Sequence, residues 1–420
     1  MSRSDFDPSV LGAGKASAVD PGYAQWVELV DRALHAMWAL GRNIVLVWSS
    51  RSGAMDVLVV PHFVLSEFAA DHDDDEDPLA ALNGDIRSRR SQSVIEGVIA
   101  RPKIVSHQEM TQLSKLLGTE PQTIELPFTP GEDISIDVME AIVKRYGISY
   151  VEDRAVALFD IVGFSLLSPL EQVTQLNSLS YSVNAAYSKM LSNNIDISFA
   201  RSTTGDGFYV WNRDRSIQAN VNLYHFMHLV LADNAIARGK SRHNTTPLLR
   251  ACFHVGGYYE FYQSEGLNPT VYSYIVGDVT IELARMIEYA FPGQVLVGDF
   301  LVSMPDWELG RMVKIDTLQF IDRTQATLSS LEGLVLSGDE IESIKCYLTG
   351  DQLQNGEFGI RRYRLIDKHR RERSVYNAKI NIYRAPSEPV FLGLQTRDLL
   401  NFGTGEVEYA DSSADVGTRD

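Results

Sequence analysis

Apolar residues recur at helical spacing through Trp26, Val27, Val30, Leu34, Met37 and Trp38, and Gly41 stands where such a helix should stop. Two apolar runs follow, Asn43 to Trp48 and Met55 to Val60, and the connection Ser49 to Gly53 makes them a hairpin. Residues 94–150 are broken by Pro102, Pro121, Pro127 and Pro130 into short strands and helices. From Arg154 the pattern becomes regular. Ala155 to Phe159 is a run of buried-strand length, and Pro169-Leu170-Glu171-Gln172 opens a helix that reaches about Leu191. Ile195 to Ser202 and Phe208 to Trp211 pair around the turn Gly205-Asp206-Gly207, and Leu223, Phe226, Met227, Val230 and Leu231 mark one face of a second long helix. Leu249 to Val255 reads as a strand, Ile275 as a strand end, Val279 to Ala290 as a helix and Val295 to Val297 as a strand. Further on, Ser343 to Leu348 and Ile360 to Ile366 are strand-like, and a basic stretch, Lys368 to Arg373, follows them.

The order strand, helix, two strands, helix, strand predicts an α+β protein with a ferredoxin-like βαββαβ core, its helices covering one face of an antiparallel sheet. In such a sheet the end of the first strand neighbours the hairpin turn, so Asp160 and Asp206 should meet. Around this core, residues 1–20 read as a disordered lead, 21–148 as an α+β region that regulates or assembles, and 149–310 as the core block itself. Residues 311–400 read as a β-rich C-terminal extension completing the block, and 401–420 as a tail.

Composition narrows the classes. A 420-residue chain with 45% hydrophobic residues is a folded protein of two or three domains. Its net charge of -17 argues against a nucleic-acid partner, because neutralising phosphates along a duplex needs clustered Lys and Arg. It leaves nucleotide binding open, since metal ions can supply positive charge locally. No apolar run approaches the roughly 20 residues of a membrane helix, and Met1 to Pro21 lacks the pattern of a signal peptide, so neither a membrane nor export is expected. Cys252 and Cys346 lie in β-like apolar surroundings and read as reduced core residues of a cytoplasmic protein. The run Asp71 to Asp77, six acids and a histidine, reads as a solvated loop within a linker at 71–92 rather than a metal site.

Candidate chemistry gathers at Ala157-Leu158-Phe159-Asp160-Ile161-Val162-Gly163-Phe164-Ser165, where a carboxylate ends an apolar run and a glycine follows three residues later. Thr203-Thr204-Gly205-Asp206-Gly207 repeats the association of aspartate with glycine 46 residues on. Two carboxylates facing each other suit two divalent ions, which prefer hard oxygen ligands. Gly163-Phe164-Ser165 would leave backbone N–H groups free for phosphate. Plainer readings stand beside these: a turn aspartate for Asp160, an ordinary Asp-Gly turn for Asp206, and a simple strand-to-helix loop after it. Arg285, on the helix from Val279, suits two phosphate oxygens through its fixed fork of donors, or simply a surface pair with Glu282 or Glu288.

At these residues the chain resembles the class III nucleotidyl cyclases. Four blocks carry the resemblance in order: Phe159-Asp160-Ile161 with Gly163-Phe164-Ser165; Gly205-Asp206; Arg250-x-x-x-His254-x-Gly256; and Gly277-Asp278, then Arg285, then Pro292-Gly293-Gln294-Val295-Leu296-Val297. They span about residues 150 to 310. The resemblance implies formation of a 3′,5′-cyclic nucleotide and pyrophosphate from a nucleoside triphosphate, with two Mg²⁺ or Mn²⁺ ions per site. It implies Asp160, Asp206 and the backbone carbonyl of Ile161 as metal ligands, Gly163, Phe164 and Ser165 at the phosphates, and Arg285 at the α-phosphate in the transition state. It also implies a head-to-tail homodimer with its active sites at the interface. His254, in the third block, reads as a core residue at a strand end.

Departures concern the base and ribose. Ser202, preceded by Arg201, stands where adenine-using members commonly have lysine; Tyr274 stands where they have Asp or Thr; and Ile281 replaces the ribose-orienting Asn. A late phosphate-binding lysine is matched only loosely by Lys345. ATP is the default substrate by family frequency, with another base, including a pyrimidine, as the alternative within the family. A catalytically silent cyclase-like interaction module is the alternative outside it. Both metal carboxylates and Arg285 being present together favours the enzyme. The turn Thr204-Gly205-Asp206-Gly207-Phe208 is not the Gly-Gly-Asp/Glu-Glu-Phe turn of diguanylate cyclases.

Overall fold

The computed structural model describes residues 21–67, 97–214, 216–241, 243–264, 271–352, 358–368, 370–399, 402 and 408–410. The lead, the acidic run with most of its linker, and most of the tail lie outside these residues. The chain divides into two compact units, Met1–Glu152 with Tyr259–Ile275, and Asp153–Tyr258 with Val276–Asp420.

In the first unit, α1 (Pro21–Trp38) places Val27, Val30 and Leu34 against a three-stranded sheet of β1 (Asn43–Arg51), β2 (Ala54–Pro61) and β3 (Gln122–Glu125). α2 (His62–Glu67), α3 (His107–Leu117) and α4 (Ile136–Lys144) complete its regular elements. Glu140 is buried and accepts three hydrogen bonds, from Trp48 Nε1 (2.8 Å) and from the N–H groups of Lys103 (2.9 Å) and Ile104 (2.6 Å). Such a carboxylate is satisfied within the core, which is the condition for keeping it there.

β4 (Ile148–Ile161) leads into the second unit's core. α5 (Pro169–Ser192) begins at Ser168, whose side chain and Glu171 cap each other's backbone N–H groups, with Pro169 in the first turn. β5 (Phe199–Thr203) and β6 (Gly207–Asn212) form the expected hairpin, and α6 (Ile217–Lys240) follows. β7 (Leu249–Ser264) closes the βαββαβ core, and β8 (Val271–Val276), α7 (Asp278–Tyr289) and β9 (Val295–Gly298) follow it. The core strands lie in the order β7-β4-β6-β5, the ferredoxin-like order, with β4 in the middle. The fold is α+β as expected, and its sheet is mixed rather than wholly antiparallel. β9 runs parallel to β7, because α7 provides the crossover that a parallel pair requires.

Beyond β9 comes a hairpin the sequence pattern did not reveal, β10 (Leu301–Asp306) at the end of the core block and β11 (Arg311–Asp316) at the start of the extension, then α8 (Thr317–Thr327). β12 (Val335–Leu336), β13 (Asp339–Leu348), β14 (Ile360–Ile366), β15 (Glu372–Ala385), β16 (Val390–Leu392) and β17 (Glu408–Ala410) follow. β15 inserts between β13 and β9, so the extension belongs to the same sheet as the core. α6 departs from its expected one-sided character. Seventeen of its residues are buried, because it lies among α5, α8 and the sheet. Polar side chains are carried inside with it, among them His225 and His228, both 0% exposed. His225 Nε2 donates to the Thr324 carbonyl (3.2 Å), whereas neither nitrogen of His228 has a partner among the described residues. Cys252 and Cys346 are buried free thiols.

Burial holds His225 down to about 4 and His228 well below its ordinary value. Both are therefore neutral in the fold, while in the unfolded chain they take up protons near pH 6.5. As pH falls from about 6.5 toward 4 the unfolded state binds more protons, and each histidine removes up to about 1.4 kcal/mol of stability per pH unit. Thermal unfolding followed from pH 7 to pH 5 should show this loss, and His228→Leu should flatten it; an unchanged slope would contradict the assignment.

Candidate active site

The site is built by strand register. β4 and β6 pair antiparallel with Asp160 opposite Gly207, and the Ile161 N–H donates to the Asp206 carbonyl at 3.0 Å. A Cβ on Gly207 would stand 1.9 Å from the Phe159 carbonyl oxygen, so only glycine lets the two strands close at this point. The two aspartates are thereby brought together, with the Asp206 carboxyl within hydrogen-bonding reach of Asp160. Asp160 is 7% exposed and Asp206 half-buried. Burial pushes the Asp160 carboxyl above the usual carboxylate range, and the neighbouring Asp206 charge adds to this, while Arg250 opposes both. The pair is thus an excess of negative charge in a poorly solvated place, with hard oxygen donors. Such a donor set fits Mg²⁺ or Mn²⁺. Among the described residues no group of three His, Cys, Asp or Glu side chains forms a metal cluster, so further ligands would come from backbone, water or substrate, as hard cations commonly accept.

Arg250 is the functional residue that the sequence reading quoted but left without a role. From the start of β7 its Nε donates to Asp160 Oδ2 at 2.6 Å and its Nη1 to the Ala290 carbonyl at 3.0 Å. The available signal was its place four residues before His254 in the third block. His254 itself is core: its Nδ1 side is pressed against Gly298, where any Cβ would stand 2.1 Å away.

Beyond Asp160 the chain turns at Gly163, whose φ of 70° is left-handed and suits glycine, into one short 3-10 turn, Phe164–Leu166, before α5. The N–H of Val162 goes to the Leu248 carbonyl and that of Leu166 to the Gly163 carbonyl. Among the described residues, the N–H groups of Gly163, Phe164 and Ser165 have no protein acceptor.

The remaining candidates are placed as follows. Ser202 pairs with Tyr209, and Tyr209 with Leu158, so all three share the sheet face of Asp160. Arg201 lies on the opposite face, its guanidinium 5.5 Å from the centre of the Phe208 ring, and adds no cation beside the carboxylates. Arg285 pairs with Glu288 (2.9 Å) and Ile281 is exposed. Neither is brought to Asp160, whose cation is Arg250. Tyr274 belongs to the first unit and stacks on Phe261 with ring centres 5.6 Å apart. Lys345 is exposed on β13, with β15, β9 and β7 between it and β4.

No protein-family model matches the chain, and no curated protein does. Among solved structures, the chain is similar to the guanylate cyclase domain of RhGC from Catenaria anguillulae in complex with GTP, at 12% identity over 56% of this chain and 98% of that one, with a TM-score of 0.32. It is also similar to the adenylyl cyclase CyaB from P. aeruginosa, at 13% identity over 57% and 97% with a TM-score of 0.32, and to the guanylyl cyclase Cya2, at 12% over 54% and 91% with a TM-score of 0.30.

The close approach of β6 to β4 gives a direct check. Gly207→Ala should cost about 1–3 kcal/mol or more through overpacking, because the obstructing atom is backbone and cannot rotate away. A thermal shift of under a degree would show that the strands do not close as described.

Proposed function

We propose that this chain is a nucleotidyl cyclase, converting a nucleoside triphosphate into the 3′,5′-cyclic monophosphate and pyrophosphate in a homodimer. The observation that carries the proposal is the pairing of Asp160 with Asp206 beside a turn whose three successive N–H groups lack a protein acceptor among the described residues. Asp160 and Asp206 would hold two divalent ions, with the Ile161 carbonyl as a further ligand. When bound, such ions lower the pKa of a ribose 3′-hydroxyl and offset charge on the triphosphate and leaving group. Gly163, Phe164 and Ser165 would donate their N–H groups to phosphate oxygens. Arg250 orients the Asp160 carboxylate through Oδ2. Arg285 would leave Glu288, an exposed partner worth little, for the α-phosphate oxygens, where a guanidinium gains more as charge develops.

Because Arg285 is not brought to the carboxylates of its own chain, a second protomer is required to complete each site. The surface beside the phosphate turn supports this. Leu166, Leu170 and Val173 are 88%, 77% and 66% exposed and lie in sequence along one side of the start of α5. An apolar stripe of this kind marks an interaction surface. Two-fold symmetry would make the two sites equivalent.

The base is set less sharply. Ser202, Tyr209 and Ile281 offer no lysine for adenine and no amide for the ribose. This composition suits ATP held in a relaxed pocket or, as the alternative within the same chemistry, a pyrimidine triphosphate. A silent module remains the contrary reading, and turnover separates the two.

Full-length protein incubated with ATP, GTP, CTP or UTP and Mn²⁺ should yield cyclic nucleotide from at least one of them. No product from any would end the proposal, and a clear preference for GTP would overturn the account of the base. Asp160→Ala and Arg285→Ala homodimers should each be nearly inactive. Mixed together they should regain up to about a quarter of wild-type activity, because half of randomly exchanged dimers are mixed and each has one intact site. Mixed dimers that form and stay inactive would contradict the shared site.

A further inference from the structure

We infer that Tyr209 is a positioning residue for Arg285, holding the helix that bears the arginine to the strand that leaves the Asp206 turn. The inference rests on the cyclase reading of the site. β6 emerges from that turn at Gly207, and Tyr209 stands on the sheet face that carries Asp160, paired with Leu158 on one side and Ser202 on the other. Its half-buried hydroxyl donates to the carbonyl of Thr280 at 3.2 Å. Burial, with a smaller contribution from Cys252, pushes the phenol up to about 12, so it remains a donor at any working pH.

Thr280 is well chosen as the recipient. It lies in the first turn of α7, and its own hydroxyl accepts the Gly277 N–H (3.1 Å) while contacting the Gly277 carbonyl (2.8 Å), which fixes the helix start. Close packing brings that start onto β7, where a Cβ on Gly256 would already stand 3.3 Å from Val279 Cβ. Arg285 follows Thr280 by little more than one turn, on a rigid segment.

Among the described residues α7 is also held by the Glu282–Arg373 ion pair (2.9 Å) and the Tyr289 hydroxyl on the Ile366 carbonyl, both to the extension, and by Arg250 Nη1 on the Ala290 carbonyl at its C-cap (3.0 Å). They fix the middle and the end of the helix to β14, β15 and β7. The Tyr209 bond ties its first turn to the core sheet. With that bond removed, α7 keeps its packing but its first turn can shift about the attachments at its middle and end, and small displacements of a charge-stabilising group are costly in rate. The sequence carries no recognisable signal for this role, since Tyr209 reads simply as an aromatic strand residue.

The test is Tyr209→Phe in the full-length protein, which removes one oxygen and keeps the ring. The expected result is a fall in kcat of about 3- to 10-fold with KM within about two-fold, the scale of one hydrogen bond. In an Arg285→Lys background the same change should have almost no further effect, because the group being positioned is already compromised. Hydrogen exchange at the amides of residues 281–285, measured without nucleotide, should be faster in the variant at unchanged global unfolding temperature. Unchanged kcat, an equal loss in both backgrounds, or unchanged exchange would each overturn the inference. If the unaltered protein makes no cyclic nucleotide, the cyclase reading fails with it, while the exchange comparison still decides whether Tyr209 anchors α7.

Discussion

The antiparallel register that sets Asp160 opposite Gly207 is the constraint on which the site depends. Two carboxylates repel each other, and the partly desolvated one resists ionising, so nothing in their own chemistry would bring them together. The backbone does it instead. Strand pairing fixes register in steps of one residue, and a slip of one would turn Asp160 to the face covered by α5 and α6. Gly207 sustains that register because it alone allows the approach, and Arg250 relieves part of the resulting charge at Asp160 Oδ2. Much of the core behind β4, from Phe159 and Ala157 to α5 and α6, supports this one juxtaposition.

α7 is governed differently. It carries no member of the carboxylate pair and is held by side chains from separate parts of the chain, Tyr209, Arg373 and its own Tyr289. The extension therefore has a physical function in the fold: β15 both completes the sheet beside β9 and supplies Arg373, which meets Glu282 and Asp367 almost out of water. A buried cation shared by two carboxylates is a demanding arrangement, and it fixes geometry more than it adds stability.

Several of these features were legible in the sequence for specific reasons. The hairpin around Asp206 and the helix from Pro169 announce themselves through Gly-Asp-Gly and through the proline of the first turn, whose effects are local. The meeting of Asp160 with Asp206 followed from the βαββαβ order alone. By contrast, the burial of α6 on nearly all sides was hidden, because its His225, His228 and Asn220 look like surface residues, whereas in the fold His225 meets Thr324 of α8 and Asn220 accepts the Ala155 N–H. The β10–β11 hairpin was equally hidden, since Pro305 and Gly310 interrupt the alternation that marks a strand. Arg250 was visible as part of a motif, but its partner is 90 residues away, and no local pattern names such a partner.

The central claim is that Asp160 and Asp206 together hold divalent cations for chemistry on a nucleotide. It is tested most directly by titrating Mn²⁺ into the full-length protein, with the free ion read by electron paramagnetic resonance, in the presence of a nucleoside triphosphate lacking its 3′-hydroxyl. Corrected for the nucleotide's own binding, the account predicts two tightly held ions per site, lost in both Asp160→Asn and Asp206→Asn. Mn²⁺ binding that is undiminished in either variant would contradict it.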